Sequence, residues 1–183
     1  MRVISGRYKG RKLVSFTAAH IRPTTDRVKE SLFNKIAAHV PSARVLDLFA
    51  GSGSLGIESL SRGCESVTFV DSHKTSLKII RDNLRSLDIQ TGFEICAADV
   101  FKYLKKSPVQ PYDLIFIDPP FTEKIGDKVM IALSASSHFH PGTLIAIESG
   151  TKEPMQEAYP PLQLLDRRPF GDKTLSIFSC PES

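Results

Sequence analysis

The chain has 183 residues, 41% hydrophobic and 24% charged, with a formal net charge of +4, the profile of one globular domain able to bury a sizeable core. No apolar run approaches the roughly 18 residues a membrane span needs, and the opening "MRVISGRYKG" lacks the apolar segment of a signal peptide. Three scattered cysteines, Cys64, Cys96 and Cys180, show no metal-ligand spacing, so a cytoplasmic protein with reduced thiols and no metal is expected.

The first 40 residues hold the positive charge. Nine Lys/Arg stand there against Asp26 and Glu30, giving +7, while the remainder has 15 basic and 18 acidic residues. Such an arm suits a polyanion, with Arg7, Lys9, Arg11, Lys12, Arg22 and Arg27 as candidate phosphate contacts, although a solvated surface has the same composition. Within it, Arg2–Ser15 reads as a β-hairpin around a glycine-flanked turn. Thr24–Val40 reads as a helix, with Val28, Leu32, Phe33, Ile36, Ala37 and Val40 on one face and Arg27, Lys29 and Lys35 on or near the wet side.

From Ala43 the pattern changes. Strands are expected at Arg44–Phe49, Ser66–Asp71, Phe93–Ala97, Tyr112–Ile117 and Thr143–Glu148. Helices are expected between them near Leu55–Ser61, Lys74–Leu87, Val100–Lys105 and Lys124–Ser136. Short apolar strands alternating with helices predict a doubly wound α/β core with a mostly parallel sheet. Leu162–Arg167 and Thr174–Ser179, separated only by "RPFGDK", predict an antiparallel hairpin that finishes it. The whole chain, 1–183, is expected to be one domain: an N-terminal extension over 1–40 and a core over 43–183.

In such sheets ligands lie beyond the carboxyl ends of the strands. There the sequence places "DLFAGSGSLG" (47–56), then Asp71, Asp99 and "DPPF" (118–121) in turn. Gly51, Gly53 and Gly56 match the dinucleotide pattern G-x-G-x-x-G literally. Asp47 stands just ahead of the turn, however, where it would repel a pyrophosphate and could hold an ammonium. Asp71 suits a ribose diol or a helix cap. Asp99 suits an adenine amine, with the Val100 amide beside it, or again a cap.

Asp118-Pro119-Pro120-Phe121 is a stiff strand end that carries one carboxylate and one ring. An exocyclic amine on a base is a poor nucleophile because its lone pair is delocalised into the ring. Acceptors at the Asp118 carboxylate and the Pro119 carbonyl would draw its hydrogens and direct the lone pair at an electrophile. Phe121 offers a stacking face for a flipped-out base.

These motifs carry a resemblance. "DLFAGSG" with "DPPF" is similar to the Rossmann-like S-adenosylmethionine-dependent amino-methyltransferases. "RVISGRYKGRKL", "RPTTDRVKESLFN", "RVLDLFAGSGSLGIESLSRG" and "YDLIFIDPPF" resemble more narrowly the RsmD family, over roughly residues 1–150, with "GDKTLSIF" agreeing near the end. That family methylates N2 of a guanine in 16S ribosomal RNA of the small subunit. The resemblance implies S-adenosylmethionine as methyl donor. It assigns Asp47, Gly51 and Gly53 to the methionine end, Asp71 to the ribose, Asp99 to the adenine, and Asp118 to Phe121 to the target amine; Phe49 and the backbone amide of Val100 or Phe101 are further candidates for cofactor contact. It also implies that "RPTTDR" lies across the cofactor mouth, with Arg22 and Arg27 near RNA phosphates, and a monomer is expected. Departures are small: Asp71 where Glu is commoner, Phe121 for Tyr, and "GDK" for "GDT".

Other readings are weaker. A DNA adenine methyltransferase usually carries a recognition domain for which this chain has no room. A 23S ribosomal RNA amine is an alternative substrate for the same chemistry. A protein-glutamine methyltransferase would more typically show Asn-Pro-Pro-Tyr. A non-catalytic RNA- or nucleotide-binding protein leaves Asp118 to Phe121 unexplained, and a dehydrogenase lacks a placed proton donor.

Overall fold

The computed structural model describes residues 1–15, 26–120 and 123–181. Its apolar runs form the strands β1 (Arg44–Leu48), β2 (Ser66–Asp71), β3 (Phe93–Ala97), β4 (Tyr112–Ile117) and β5 (Phe139–Gly150). A two-residue β6 (Ala158–Tyr159), then β7 (Leu162–Phe170) and β8 (Lys173–Ser179) follow. All eight belong to one sheet in the order β3-β2-β1-β4-β5-β8-β7-β6. Pairs from β3 through β5 are parallel, and β5–β8, β8–β7 and β7–β6 are antiparallel.

Period-two alternation sends side chains to both faces of the sheet. Val45, Val67, Phe69, Leu114 and Phe116 pack with α1 (Asp26–Lys35), α2 (Ser54–Ser61) and α3 (Lys74–Ser86). Leu46, Leu48, Val70, Ile115 and Ile117 pack on the other side with α4 (Val100–Leu104) and α5 (Gly126–Ser134). Strands buried on both faces explain why the central runs read as continuous hydrophobics. Strand order reverses between β1 and β4, the point beyond whose carboxyl ends sheets of this kind bind ligands.

The doubly wound core and its C-terminal hairpin match expectation, and two details of the extension do not. Residues 2–15 turn back as a hairpin would, but Arg2 and Lys12 make the only bridge recorded there. Val3 N–H donates to Arg11 O at 2.9 Å, Gly10 N–H to Val3 O at 2.9 Å and Leu13 N–H to Met1 O at 3.1 Å, while other backbone groups of the segment bond to the core. Ile4 and Ser5 N–H donate to the Glu58 carboxylate at 2.8 and 3.0 Å, Tyr8 N–H donates to Ser61 Oγ at 3.0 Å, and Val14 N–H to Asn83 Oδ1 at 2.7 Å. Side chains of helices α2 and α3 thus take the backbone hydrogen bonds that this short hairpin leaves over.

The second correction is Lys29. Arg27 and Lys35 are exposed, but Lys29 is fully buried. Its ammonium donates to Arg2 O at 2.6 Å and Ser54 Oγ at 3.1 Å and lies 3.4 Å from Glu58. Helix α1 also ends at Lys35, and a 3₁₀ turn over Ala37–His39 completes the stretch expected to be helical as far as Val40.

Candidate active site

The loop after β1 is shaped by residues that must leave ordinary backbone space. Gly51 and Gly53 have φ of +57° and +76°, a region that costs other residues strain. Phe49 adopts φ +57° without being glycine, an outlier of the kind that clusters at functional sites. Gly56 answers a different need. A Cβ there would lie 2.3 Å from the Phe69 ring and 2.7 Å from Val67, so glycine lets α2 pack directly on β2.

Acids pin this loop. Asp47, 2% exposed, accepts the Gly56 N–H at 3.0 Å. Burial pushes its carboxyl well above the usual range; the Gly56 N–H pulls the other way, and the charges of Asp118 and Asp71 add to the rise. Asp71 accepts Gly51 N–H at 2.9 Å and His73 N–H at 2.8 Å, so it ties the end of β2 to the glycine turn. The helix cap itself falls on His73, without a side-chain bond. Asp99 does cap: it precedes α4 and accepts Lys102 N–H at 3.0 Å, with Val100 buried beside it.

The Asp118 segment leaves the neighbouring strand. Its N–H donates to Leu48 O at 3.4 Å, which joins the start of the Asp-Pro-Pro run to the end of β1. Pro119 is buried and Pro120 exposed. Phe121 lies outside the described residues, as do Arg22 and the "RPTT" stretch. Arg7, Lys9, Arg11, Lys12 and Arg27 are all exposed. Arg7 lies over the Tyr8 ring at 5.5 Å, and Arg11 donates to Ser86 O at 2.7 Å.

Beside Asp118 an open cleft of about 230 Å³ is lined in part by Asp118, Pro119, Pro120, Glu148 and Lys173. Lys173 Nζ lies 2.7 Å from Glu148 Oε2 and 3.8 Å from Asp118 Oδ1. Burial works against this ammonium, but Asp118, Glu148 and Asp172 outweigh it and raise its value. Sequence reasoning missed both residues, although the rule that found the other acids applies to Glu148 at the carboxyl end of β5. It also missed Asn83, whose side-chain N–H groups reach Val14 O at 2.9 Å and Ser52 O at 3.0 Å. The signal was a polar residue on the apolar stripe of α3, beside Leu77, Ile80 and Leu84.

The cysteines are poorly suited to attack. Burial pushes the Cys64 thiol up to about 12 and the Cys96 thiol up to about 11, away from the thiolate a nucleophile requires. The His138-x-His140 pair diverges: His138 stacks on Tyr112 at 6.2 Å, while His140 Nε2 meets Asp113 at 2.9 Å.

A parallel sheet of this order, a glycine loop after β1 and acids along one edge define the Rossmann-like methyltransferase class. At the level of the fold alone, a chain from Streptococcus mutans assigned as a SAM-dependent methyltransferase superposes with a TM-score of 0.69 at 17% identity, over 87% of this chain and 50% of its own. The yhhF protein of Escherichia coli superposes with a TM-score of 0.88 at 28% identity, over 100% of this chain and 99% of its own. Residues 1–179 match the model of the family described as Conserved hypothetical protein 95. Ribosomal RNA small subunit methyltransferase D of Haemophilus influenzae is 36% identical over 157 residues, 85% of this chain and 81% of the relative. The chain belongs to this family, the RsmD family to which its motifs pointed.

Proposed function

We propose that this chain is an S-adenosylmethionine-dependent ribosomal RNA methyltransferase that modifies the exocyclic N2 amine of a guanine in the 16S RNA of the small subunit. One observation carries the reading. The Asp47–Gly56 loop and the Asp118-Pro-Pro segment leave neighbouring strands at the point where strand order reverses, and the Asp118 N–H to Leu48 O bond joins them. The names of the relatives support ribosomal RNA as substrate. The whole chain acts as one catalytic domain, with residues 1–40 facing RNA.

S-adenosylmethionine, when bound, supplies a methyl group made electrophilic by its sulfonium. The residues present fit it. Asp47, an acid in an apolar enclosure, suits an ammonium. The backbone of Gly51 and Gly53 permits close approach at the methionine end, near Phe49. Asp71 retains lone pairs for a ribose diol beyond its two backbone bonds. Asp99 caps α4 with one oxygen, and the second, with the Val100 amide, faces the adenine role. At the acceptor, Asp118 and the Pro119 carbonyl take the amine's hydrogens. Phe121 stacks on the flipped base, and Arg7, Lys9, Arg11, Lys12, Arg22 and Arg27 engage phosphates. The raised cysteine thiols agree with direct transfer and no covalent enzyme intermediate.

Radiolabelled S-adenosylmethionine incubated with small subunits from cells lacking the modification tests this reading. Label recovered as N2-methylguanine in 16S RNA is expected. Label in 23S RNA, DNA or protein would overturn the substrate, and cofactor binding without any transfer would overturn the activity.

A companion prediction concerns Asp47→Asn. An acid whose native value is raised binds its proton more tightly folded than unfolded, so its contribution to stability falls as pH climbs through that range. The amide removes this liability and can still accept the Gly56 N–H. The melting temperature of the free protein is expected to hold or rise, while affinity for S-adenosylmethionine drops by on the order of 10–100-fold through loss of a charge-assisted bond. Calorimetry on both proteins checks the two together. In the wild type a ligand ammonium favours ionised Asp47, so cofactor affinity is expected to increase with pH.

A further inference from the structure

We propose that Lys173 is a positioning residue of the acceptor cleft: the cation that holds Asp118 and Glu148 side by side. The inference rests on the reading of Asp118 as acceptor of the amine's hydrogens, a task only its carboxylate form performs well.

The sheet creates the problem that Lys173 solves. Ile117 of β4 pairs with Ile147 of β5 in parallel register, so Asp118 and Glu148 leave adjacent strands at equivalent positions. Glu148 is 5% exposed, and two carboxylates so placed, one of them out of water, would tend to share a proton. The antiparallel β8 runs the other way and delivers its first residue, Lys173, to this same edge. Its register partner is Gly150, which has no side chain to crowd the lysine stem. The Lys173 side chain is 12% exposed, with its ammonium 2.7 Å from Glu148 and 3.8 Å from Asp118. The short contact fixes it on Glu148, and the longer one places the same charge beside Asp118.

Among the described residues, the other charged groups named around this pair are acidic. Glu153 is engaged by Gly126 N–H at 2.7 Å and Gly150 N–H at 3.2 Å. Asp172, beside Lys173, and Asp47, which feels the Asp118 charge, are both acidic. Removing Lys173 therefore leaves the negative charges in place and takes away the cation recorded between them.

Carbon-13 carboxyl NMR of Asp- and Glu-labelled protein reads the outcome directly, without any need for turnover. Lys173→Thr introduces a good strand residue, Lys173→Gln keeps reach and hydrogen bonding without charge, and Lys173→Arg keeps the charge. The titration midpoint of the Asp118–Glu148 pair is expected to rise by about one pH unit in the Thr and Gln variants and to return towards wild type in the Arg variant. The acid limb of the methylation rate should move with it. Unchanged midpoints in the Gln variant overturn the proposal, whatever happens to activity. Midpoints that move while the pH–rate profile stays put would uphold the role of Lys173 and remove Asp118 from the chemistry, which separates failure of this inference from failure of the functional reading.

Discussion

Asp118→Ala is expected to lower the rate of methyl transfer by on the order of 10²–10³-fold, the usual cost of deleting one preorganised polar partner of the reacting group. The loss should fall on kcat, because in the proposed reaction the carboxylate acts on the amine as it becomes nucleophilic. Folding is not at issue. Asp118 is only partly buried, the N–H that bonds Leu48 O is backbone, and the two prolines keep their course. Lys173 retains Glu148 at 2.7 Å. Cofactor binding should hold or tighten, since the Asp118 charge is one of the influences that raise Asp47, and its removal eases ionisation of the group assigned to the ammonium. Single-turnover rates with saturating RNA, beside calorimetric cofactor titrations, separate the two effects. A variant that kept more than about a tenth of the wild-type rate would show that Asp118 does not orient the amine.

Much of this site was legible because parallel sheets are built from local rules. An apolar run bounded by turn residues is a strand wherever it packs, and β2, β3 and β4 fall at Ser66–Asp71, Phe93–Ala97 and Tyr112–Ile117 as expected. The acids that follow them were readable for the same reason. Interactions between distant segments were not. Lys29 has the spacing of a solvent-facing helix residue, and only Glu58 in α2 and the Arg2 carbonyl bring it inside. The 2–15 segment alternates like a strand and bonds across its own turn, but four of its N–H groups find side-chain partners 53 to 69 residues away. Lys173 reads as a turn residue until antiparallel β8 sets it against Glu148. Asp99 kept two readings open, and a local bond to Lys102 N–H shows that it caps while remaining at the ligand edge.

That long-range network supports the prediction with the largest effect on stability. Glu58→Ala is expected to cost about 3–5 kcal/mol, the usual penalty for breaking a buried ion pair from one side. Glu58 is wholly buried. Its carboxylate accepts Ile4 and Ser5 N–H and the Arg62 guanidinium at 2.8 Å, with the Lys29 ammonium 3.4 Å away. Burial already lowers the Lys29 value from 10.5, and the attraction of Glu58 is the largest influence opposing it. Without that partner burial loses its largest opponent, so the folded lysine is expected to give up its proton at a lower pH than an unfolded lysine near 10.5. The sign of the pH dependence follows. The unfolded variant then binds more protons than the folded one, so its stability should climb by about 1.4 kcal/mol per pH unit above neutrality, until the unfolded lysine itself deprotonates. Adding Lys29→Met removes the stranded amine and should recover part of the loss, so the double variant is more stable than the two single effects added together predict. Urea denaturation between pH 7 and pH 9 measures all of this. A flat pH profile with strictly additive effects would mean that Lys29 and Glu58 pack as neighbours without being electrostatically coupled. If they are coupled, the contact of Lys29 with Ser54 at 3.1 Å carries the disturbance to the first residue of α2, beside the glycine turn, and cofactor affinity should fall together with stability.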